Sequence, residues 1–291
     1  MEKLLKETLQ TSTLSLLGQF SGCIAKDAAG YEIDEGKKIF VKNGVQQMLV
    51  GEYTSLKAIQ KTNTIKAPTP IKVLAHPEDA ASHLLVTEYI NMKSLSKYQA
   101  KLGEQLARLH LHNQTSEQPS DTVNQFGFEV PTCCGAIPLD NTWSSDWVEF
   151  YTRQRIEPQI AMVEKKFGDN QARQLWTQLL PKIPNLFNGL MIKPALLHGD
   201  LWSGNAAETD FEPVVFDPAS FYGHSEFDLS ITTMFGGFSG AFYSAYHQLI
   251  PKYPGFDKRQ QLYLLFHYLN HWNHFGSGYK SQSLTIMQKL L

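Results

Sequence analysis

The stretch His198-Gly199-Asp200-Leu201-Trp202-Ser203-Gly204-Asn205 sets a carboxylate and a carboxamide five residues apart, between the short apolar runs 195–197 and 213–216. On one loop facing a cleft, that pair suits phosphoryl transfer to a hydroxyl. Asp200 orients and deprotonates the acceptor, and the Asn205 carbonyl holds a Mg2+ ion. Gly199 and Gly204 let such a loop fold tightly without Cβ clashes. An ordinary Asx-rich turn between strands has a similar composition, so the loop alone does not decide. Asp217 weighs more. It closes Val214-Val215-Phe216-Asp217, a buried-looking strand, and brings a second carboxylate one hairpin away from the loop. That is the place of the main metal ligand in a phosphotransferase, and Mg2+ favours carboxylate and phosphate oxygens over an all-protein cage.

The elements that must position these groups follow from periodicity. Residues 1–11 carry Leu4, Leu5 and Leu9 at helical spacing. Residues 18–24 and Tyr31-Glu32-Ile33 read as a hairpin whose turn holds Gly22, Asp27 and Gly30, followed by a third strand at 38–42. Lys42 ends that strand, where it would contact the α- and β-phosphates of ATP. Glu52 falls ten residues later on a helix over 48–60, placed to pair with it. Residues 71–74 and 84–90 read as further strands. The second offers the Glu88 carbonyl and the Ile90 N–H to adenine, and Gly22 marks the turn that would cover the phosphates. No Walker A sequence occurs, which argues against a P-loop enzyme.

From about residue 95 the period becomes helical: 95–112, 143–166, 172–187 and, with Gly and Pro breaks, 226–291 read as helices, with 113–142 as a loop. The expected fold is therefore α+β and two-lobed, like a protein kinase. A small antiparallel β lobe with one main helix (1–90) binds nucleotide, and a larger, mostly helical lobe (91–291) carries catalysis and substrate.

A net charge of -2 over 291 residues supplies no basic field for nucleic acid or an anionic membrane. No apolar run reaches the length of a membrane span. Residues 1–20 are interrupted by Lys3, Lys6, Glu7 and Gln10, unlike a signal peptide. Cys23, Cys133 and Cys134 are odd in number and lack CxxC spacing, which argues against disulfides and zinc and for a reducing cytoplasm. Cys133 and Cys134 are expected as buried thiols. His267, His271 and His274 share one helical face without an HExxH pattern; packed histidines are expected, with His271 as the substrate contact. A monomer is expected.

With these residues in place, the chain resembles the fructosamine kinase (ketosamine 3-kinase) family, related to the aminoglycoside phosphotransferases. The resemblance rests on the run 197–205, on Phe216-Asp-Pro-Ala-Ser-Phe-Tyr-Gly-His-Ser-Glu-Phe-Asp-Leu229, on Met234-Phe-Gly-Gly-Phe238 and on Tyr268-Leu-Asn-His-Trp-Asn-His-Phe-Gly276. It also includes Cys134-Gly-Ala-Ile-Pro-Leu-Asp-Asn-Thr-Trp143 and Asp146-Trp-Val-Glu-Phe150. It implies ATP-dependent phosphorylation of the 3-hydroxyl of a ketosamine, free or on a protein lysine, giving an unstable product that loses its sugar. It further implies Asp200 as the base, Asn205 and Asp217 as Mg2+ ligands, Lys42 and Glu52 as the phosphate-binding pair, Trp202 as a stacking surface for the sugar, and Asp228 as a brace for the loop. Pro218-Ala219 follows Asp217, leaving little room for an activation loop, so a small acceptor or an exposed glycated lysine fits better than a protein hydroxyl. The alternative is a kinase for aminoglycoside, choline or methylthioribose. A pocket for cationic antibiotics would want an acidic wall, whereas the C-terminal helices are aromatic and rich in histidine.

Overall fold

The computed structural model describes residues 1–20, 28–115 and 122–291; Gly22 and Cys23 lie outside the described residues. Helix α1 (Glu2–Leu9) precedes strands β1 (Leu14–Phe20), β2 (Ala28–Ile33) and β3 (Lys38–Gly44), helix α2 (Gln46–Lys61), and strands β4 (Pro70–Ala75) and β5 (His83–Glu88). The five strands form one antiparallel sheet in the order β1-β2-β3-β5-β4. Alternation assigns the faces. Ile39 and Val41 of β3 join Leu84 and Val86 of β5 and Leu5 of α1 in a small core. Lys42, in the opposite phase, points to the other face, toward α2.

Helix α2 buries Leu49, Leu56 and Ile59. Leu56 and Ile59 belong to the large core, together with Ile65 and Ala67. Buried Ser55 fixes this docking, because its Oγ accepts the Ser220 N–H at 3.1 Å and donates to the Gly51 carbonyl at 2.7 Å. The Val215 N–H donates to the Lys66 carbonyl at 3.0 Å. The helix carrying Glu52 is thereby tied to the chain just after Asp217.

The rest of the chain is mostly helical. Strand β6 (Lys93–Ser94) and helix α3 (Gln99–Thr115) lead to the hairpin β7 (Thr132–Cys134) and β8 (Ile137–Leu139), then to helices α4 (Trp147–Phe150), α5 (Glu157–Phe167) and α6 (Asn170–Leu179). A π-helical turn at Tyr151–Ile156 joins α4 to α5. Short strands β9 (Ala195–Leu196), β10 (Ala206–Glu208), β11 (Pro213–Val215) and β12 (Tyr222–Gly223) frame the chemistry, and helices α7 (Glu226–Ile231), α8 (Gly240–Leu249), α9 (Phe256–Phe275) and α10 (Lys280–Leu290) complete the fold. The core holds Trp147, Phe150, Tyr151, Trp176, Phe221, Phe227, Tyr263, Phe266 and Trp272. Most of the aromatic excess is therefore packing.

Several elements differ from expectation for identifiable reasons. The first strand begins at Leu14, ahead of the expected residue 18, because its pairing to β2 begins at Leu14 with Ile33; residues 21–24 of the expected strand, and Asp27 of the expected turn, lie outside the described residues. Gly30 lies inside β2, paired with Phe40, rather than in the turn. The helix expected from residue 95 starts at Gln99, since Lys93 and Ser94 pair with β10. The helix expected from Trp143 starts at Trp147, where the Asp146 side chain caps it by accepting the Glu149 N–H. The stretch read as a loop contains the β7–β8 hairpin.

Candidate active site

Strands β9 and β12 pair, and so do β10 and β11. Between them the chain from His198 to Asn205 is held from behind by Asp228 of α7. The Asp228 carboxylate accepts the His198 N–H at 2.7 Å and the Gly199 N–H at 2.8 Å. It also lies 3.1 Å from His110 Nε2, and His110 Nδ1 lies 2.8 Å from the Tyr246 hydroxyl. Burial alone would raise the Asp228 carboxyl, but His110 and these N–H groups hold it below the ordinary value. The His198 ring spans the hairpin: Nε2 lies 3.0 Å from the Phe216 carbonyl and Nδ1 accepts the Asp200 N–H at 3.3 Å.

Two glycines are required here. Gly199 has φ +85°, and a Cβ there would lie 2.0 Å from the Ala219 carbonyl oxygen. A Cβ on Gly204 would lie 2.2 Å from the Trp202 ring. Gly199→Ala is expected to cost roughly 1–3 kcal/mol and to depress kcat, read by denaturant unfolding and by turnover. Unchanged values in both would show that the turn tolerates a side chain.

The turn brings the acidic and amide groups together. Asn205 Nδ2 donates to the Asp200 carbonyl at 2.8 Å and toward its carboxylate at 3.3 Å. That spends the amide nitrogen and leaves Asn205 Oδ1 available as a metal ligand. Asp217 has φ +54°, a sparsely populated conformation for a residue with a side chain. Lys42 Nζ lies 2.7 Å from Glu52 and 2.5 Å from Asp217. Lys42 and Glu52 are each 11% exposed, whereas Asp217 opens to the cleft at 45%. Burial works against the charged ammonium, but the two carboxylates more than offset it and raise Lys42. Desolvation likewise works to raise Asp217, and Lys42 holds it below the usual carboxylate value. Burial, then the nearby Asp217 and Asp228, push Asp200 up to about 7, a value that suits a base working near neutral pH. The Asn205 and Asp217 side-chain oxygens are hard donors of the kind that suits Mg2+, and the cation Lys42 stands beside Asp217.

At the other end of the sheet, Glu88 closes β5. Its N–H donates to the Thr69 carbonyl at 2.8 Å, and its carboxylate accepts from Lys66 at 3.2 Å and from the Thr69 hydroxyl at 2.8 Å. Ile90 follows beyond the paired strand. Phe20, Phe40 and Tyr89 cluster nearby, with Phe20 5.8 Å from Phe40 and 6.2 Å from Tyr89.

On the far side of Asp200 lies a cavity of about 300 Å³ lined by Trp202, Phe235, Asn270, His271, Phe275 and Tyr279, with Gly135 and His274. Trp202 meets Phe235 edge-on at 5.5 Å, and Phe235 lies 5.2 Å from His271. The three helical histidines have three different situations. His267 is fully buried. His271 places Nδ1 2.8 Å from the His267 carbonyl and so turns Nε2 away from its own helix. His274 has both nitrogens engaged, Nδ1 with the Asn270 carbonyl at 2.7 Å and Nε2 accepting the Ala136 N–H at 2.9 Å. A metal site built from all three of these histidines does not fit, because both ring nitrogens of His274 are already engaged.

Sequence reasoning did not place Cys134, Phe235, Asn270 or Tyr279 at the site. Asn270 donates toward Cys134 Sγ at 3.3 Å and accepts from Gln159 at 3.2 Å, which fixes the sulfur under Asp200. The adjacency of Asn270 to His271 was the available signal for Asn270. Nothing in the sequence brings a hairpin cysteine beneath the loop.

The sequence model of a family described as fructosamine kinase matches residues 2–291. Mus musculus ketosamine-3-kinase is 52% identical, with 100% of this chain and 99% of that protein covered. The chloroplastic protein-ribulosamine 3-kinase of Oryza sativa subsp. indica is 39% identical, covering 98% of this chain and 80% of its own length. A solved Thermobifida fusca structure with a provisional fructosamine-3-kinase name superposes with a TM-score of 0.84 at 24% identity, covering 100% of this chain and 99% of that one; this likeness concerns the fold. The chain belongs to the fructosamine kinase family and is a kinase.

Proposed function

We propose that the protein transfers the γ-phosphoryl group of ATP to the 3-hydroxyl of ketosamines, free or formed on protein lysines, and so acts in deglycation. The observation that carries this reading is Asp200 standing between the Lys42–Glu52–Asp217 cluster on one side and the aromatic, histidine-bearing cavity on the other. The 52% identity to a ketosamine-3-kinase over the whole chain supports the acceptor class.

In this reading residues 1–90 bind the nucleotide, with adenine at the Glu88 carbonyl and the Ile90 N–H. Residues 91–291 carry catalysis. Asp200 accepts a hydrogen bond from the attacking hydroxyl and takes its proton late in transfer. Lys42, kept in place by Glu52, faces the α- and β-phosphates. Asn205 and Asp217 would hold Mg2+, which neutralises charge on the transferring group when bound. Trp202 and His271 orient the sugar, and most of the rate enhancement comes from positioning and electrostatics. The reading includes a cytoplasmic monomer without nucleic-acid or membrane partners. Among the described residues no helix is long and apolar enough to cross a membrane.

A coupled ATP-turnover assay over ribulosamine, erythrulosamine and fructosamine adducts, with aminoglycosides and choline as comparators, tests this. Turnover is expected with ketosamines only; turnover with an aminoglycoside alone overturns the acceptor class. Trp202→Ala should raise the ketosamine KM roughly 2- to 10-fold, the worth of one ring contact, with the ATP KM nearly unchanged. An unaltered ketosamine KM removes Trp202 from the sugar site.

A further inference from the structure

Directly beneath the base lie two side chains that phosphoryl transfer leaves unused, Cys134 and His267. One ligand atom each from Cys134, Asp200 and His267 fall within 4.8 Å of one another. They come from three separate elements: the end of β7, the catalytic loop and the middle of α9. Cys134 is 1% exposed and His267 is 0% exposed.

His267 is the anomaly. Both its ring nitrogens are buried and have no hydrogen-bond partner among the described residues. His271 and His274 on the same helix each place Nδ1 against the carbonyl four residues earlier, yet His267 does not. Its ring instead packs at 5.0 Å from Phe227 and 5.1 Å from Phe266. A buried imidazole with neither nitrogen paired is costly and calls for a bound ligand.

The donor set names the class of ligand. One sulfur, one imidazole nitrogen and one carboxylate oxygen match a borderline-soft divalent cation such as zinc, not Mg2+. Bond lengths of about 2.0–2.3 Å around zinc put tetrahedral ligand atoms roughly 3.4–3.8 Å apart, so rotations closing about 1 Å suffice. Burial pushes the His267 imidazole down to about 3, so its nitrogens are neutral; burial and the nearby Asp200 push the Cys134 thiol up, so an ion must displace the thiol proton to bind the sulfur. Asn270, itself held by Gln159, orients the Cys134 sulfur by donating to it, as an outer-shell partner does at zinc sites. Asp200 and Asn270 both line the acceptor cavity, so an ion can reach the cluster from that side.

We propose that Cys134, Asp200 and His267 form a zinc-binding site that inhibits the kinase by engaging the catalytic carboxylate. On binding, a sulfur–zinc bond forms and the thiol proton leaves to solvent. His267 and Asp200 supply lone pairs, and no electron is transferred. The binding stands on its own geometry, whereas the inhibition rests on Asp200 being the base.

The test uses the full chain, freed of metal with a chelator and titrated with Co2+ as a spectroscopic stand-in, then with Zn2+. One equivalent of Co2+ is expected to give a thiolate-to-cobalt charge-transfer band with tetrahedral visible bands, both erased by Zn2+. Cys134→Ser should lose the charge-transfer band, Cys133→Ser should keep it, and His267→Gln should weaken binding by about tenfold or more. Zinc should inhibit ketosamine phosphorylation under excess Mg-ATP, and His267→Gln should need about tenfold more zinc for the same inhibition. Should Cys134→Ser fail to fold, the wild-type spectrum and His267→Gln still decide. Absence of a thiolate band in the wild type, or a band that follows Cys133 instead, overturns the site. An ion bound as described that leaves turnover intact overturns the inhibitory half, while the role of Asp200 as the base is decided separately by the turnover of Asp200→Asn.

Discussion

Replacing Asp200 by asparagine should lower kcat by roughly 10²–10⁴-fold, the usual worth of a positioned general base, while the Kd for ATP changes little. The substitution keeps the shape of the side chain and the 2.8 Å bond from Asn205 Nδ2 to the backbone carbonyl of residue 200. It leaves Lys42, Glu52 and Asp217 untouched. What it removes is the proton acceptor on the cavity side of the loop. Turnover assays with nucleotide-binding titrations separate the two parameters. Wild-type kcat in the variant would dismiss Asp200 as the base, and a loss of ATP affinity matching the loss of kcat would move it to the nucleotide site.

The second large effect belongs to Asp228, which touches no substrate in this account. It is fully buried and receives the His198 and Gly199 N–H groups and His110 Nε2. Asp228→Ala strands these donors in the core, at a cost of about 3–5 kcal/mol. Against a total stability of roughly 5–15 kcal/mol, that is a large share, and the Tm should fall by about 5–15 °C. Because the two N–H groups fix the turn that carries Asp200, kcat should fall as well, with Asp200 intact. The pH dependence follows from the direction of the shift. The folded-state pKa of Asp228 lies below the ordinary value, so its stabilisation is fully present above about 3.9 and is lost as pH falls through the folded value. The gap in unfolding free energy between wild type and variant should therefore be widest near neutral pH and shrink in acid. Urea unfolding at the two pH values measures it. A variant with wild-type Tm and kcat would mean that other contacts hold the loop.

The parts of the site readable in the sequence are those fixed by local spacing. Asp200 and Asn205 share one turn, Asp217 lies two residues beyond β11, one hairpin after that turn, and Lys42 on a strand faces Glu52 on the following helix. Each relation spans fewer than 20 residues of chain and at most two adjoining elements. The acceptor cavity was only partly readable, since it is assembled from Gly135, Trp202, Phe235, Asn270 and Tyr279, which are distant in the chain. The strands β7 and β8 that deliver Cys134 and Gly135 are three residues each, too short for an alternating pattern. The histidines on α9 share one face by spacing, yet packing assigns one to the core, one to the cavity wall and one to a backbone N–H. The first strand starts four residues ahead of the expected position: Leu14, Ser15 and Leu16 already pair with β2, and the register shifts between Leu16 and Gly18, which breaks the simple alternation.

The central claim is transfer of phosphate to one particular oxygen of a ketosamine by Asp200. Phosphorus and proton NMR of the product made from ATP and a ribulosamine or fructosamine adduct tests it most directly. The expected result is a single phosphomonoester coupled to the proton on C3, formed by the wild type and absent with Asp200→Asn. Phosphate on another hydroxyl, or undiminished product from the variant, would contradict it.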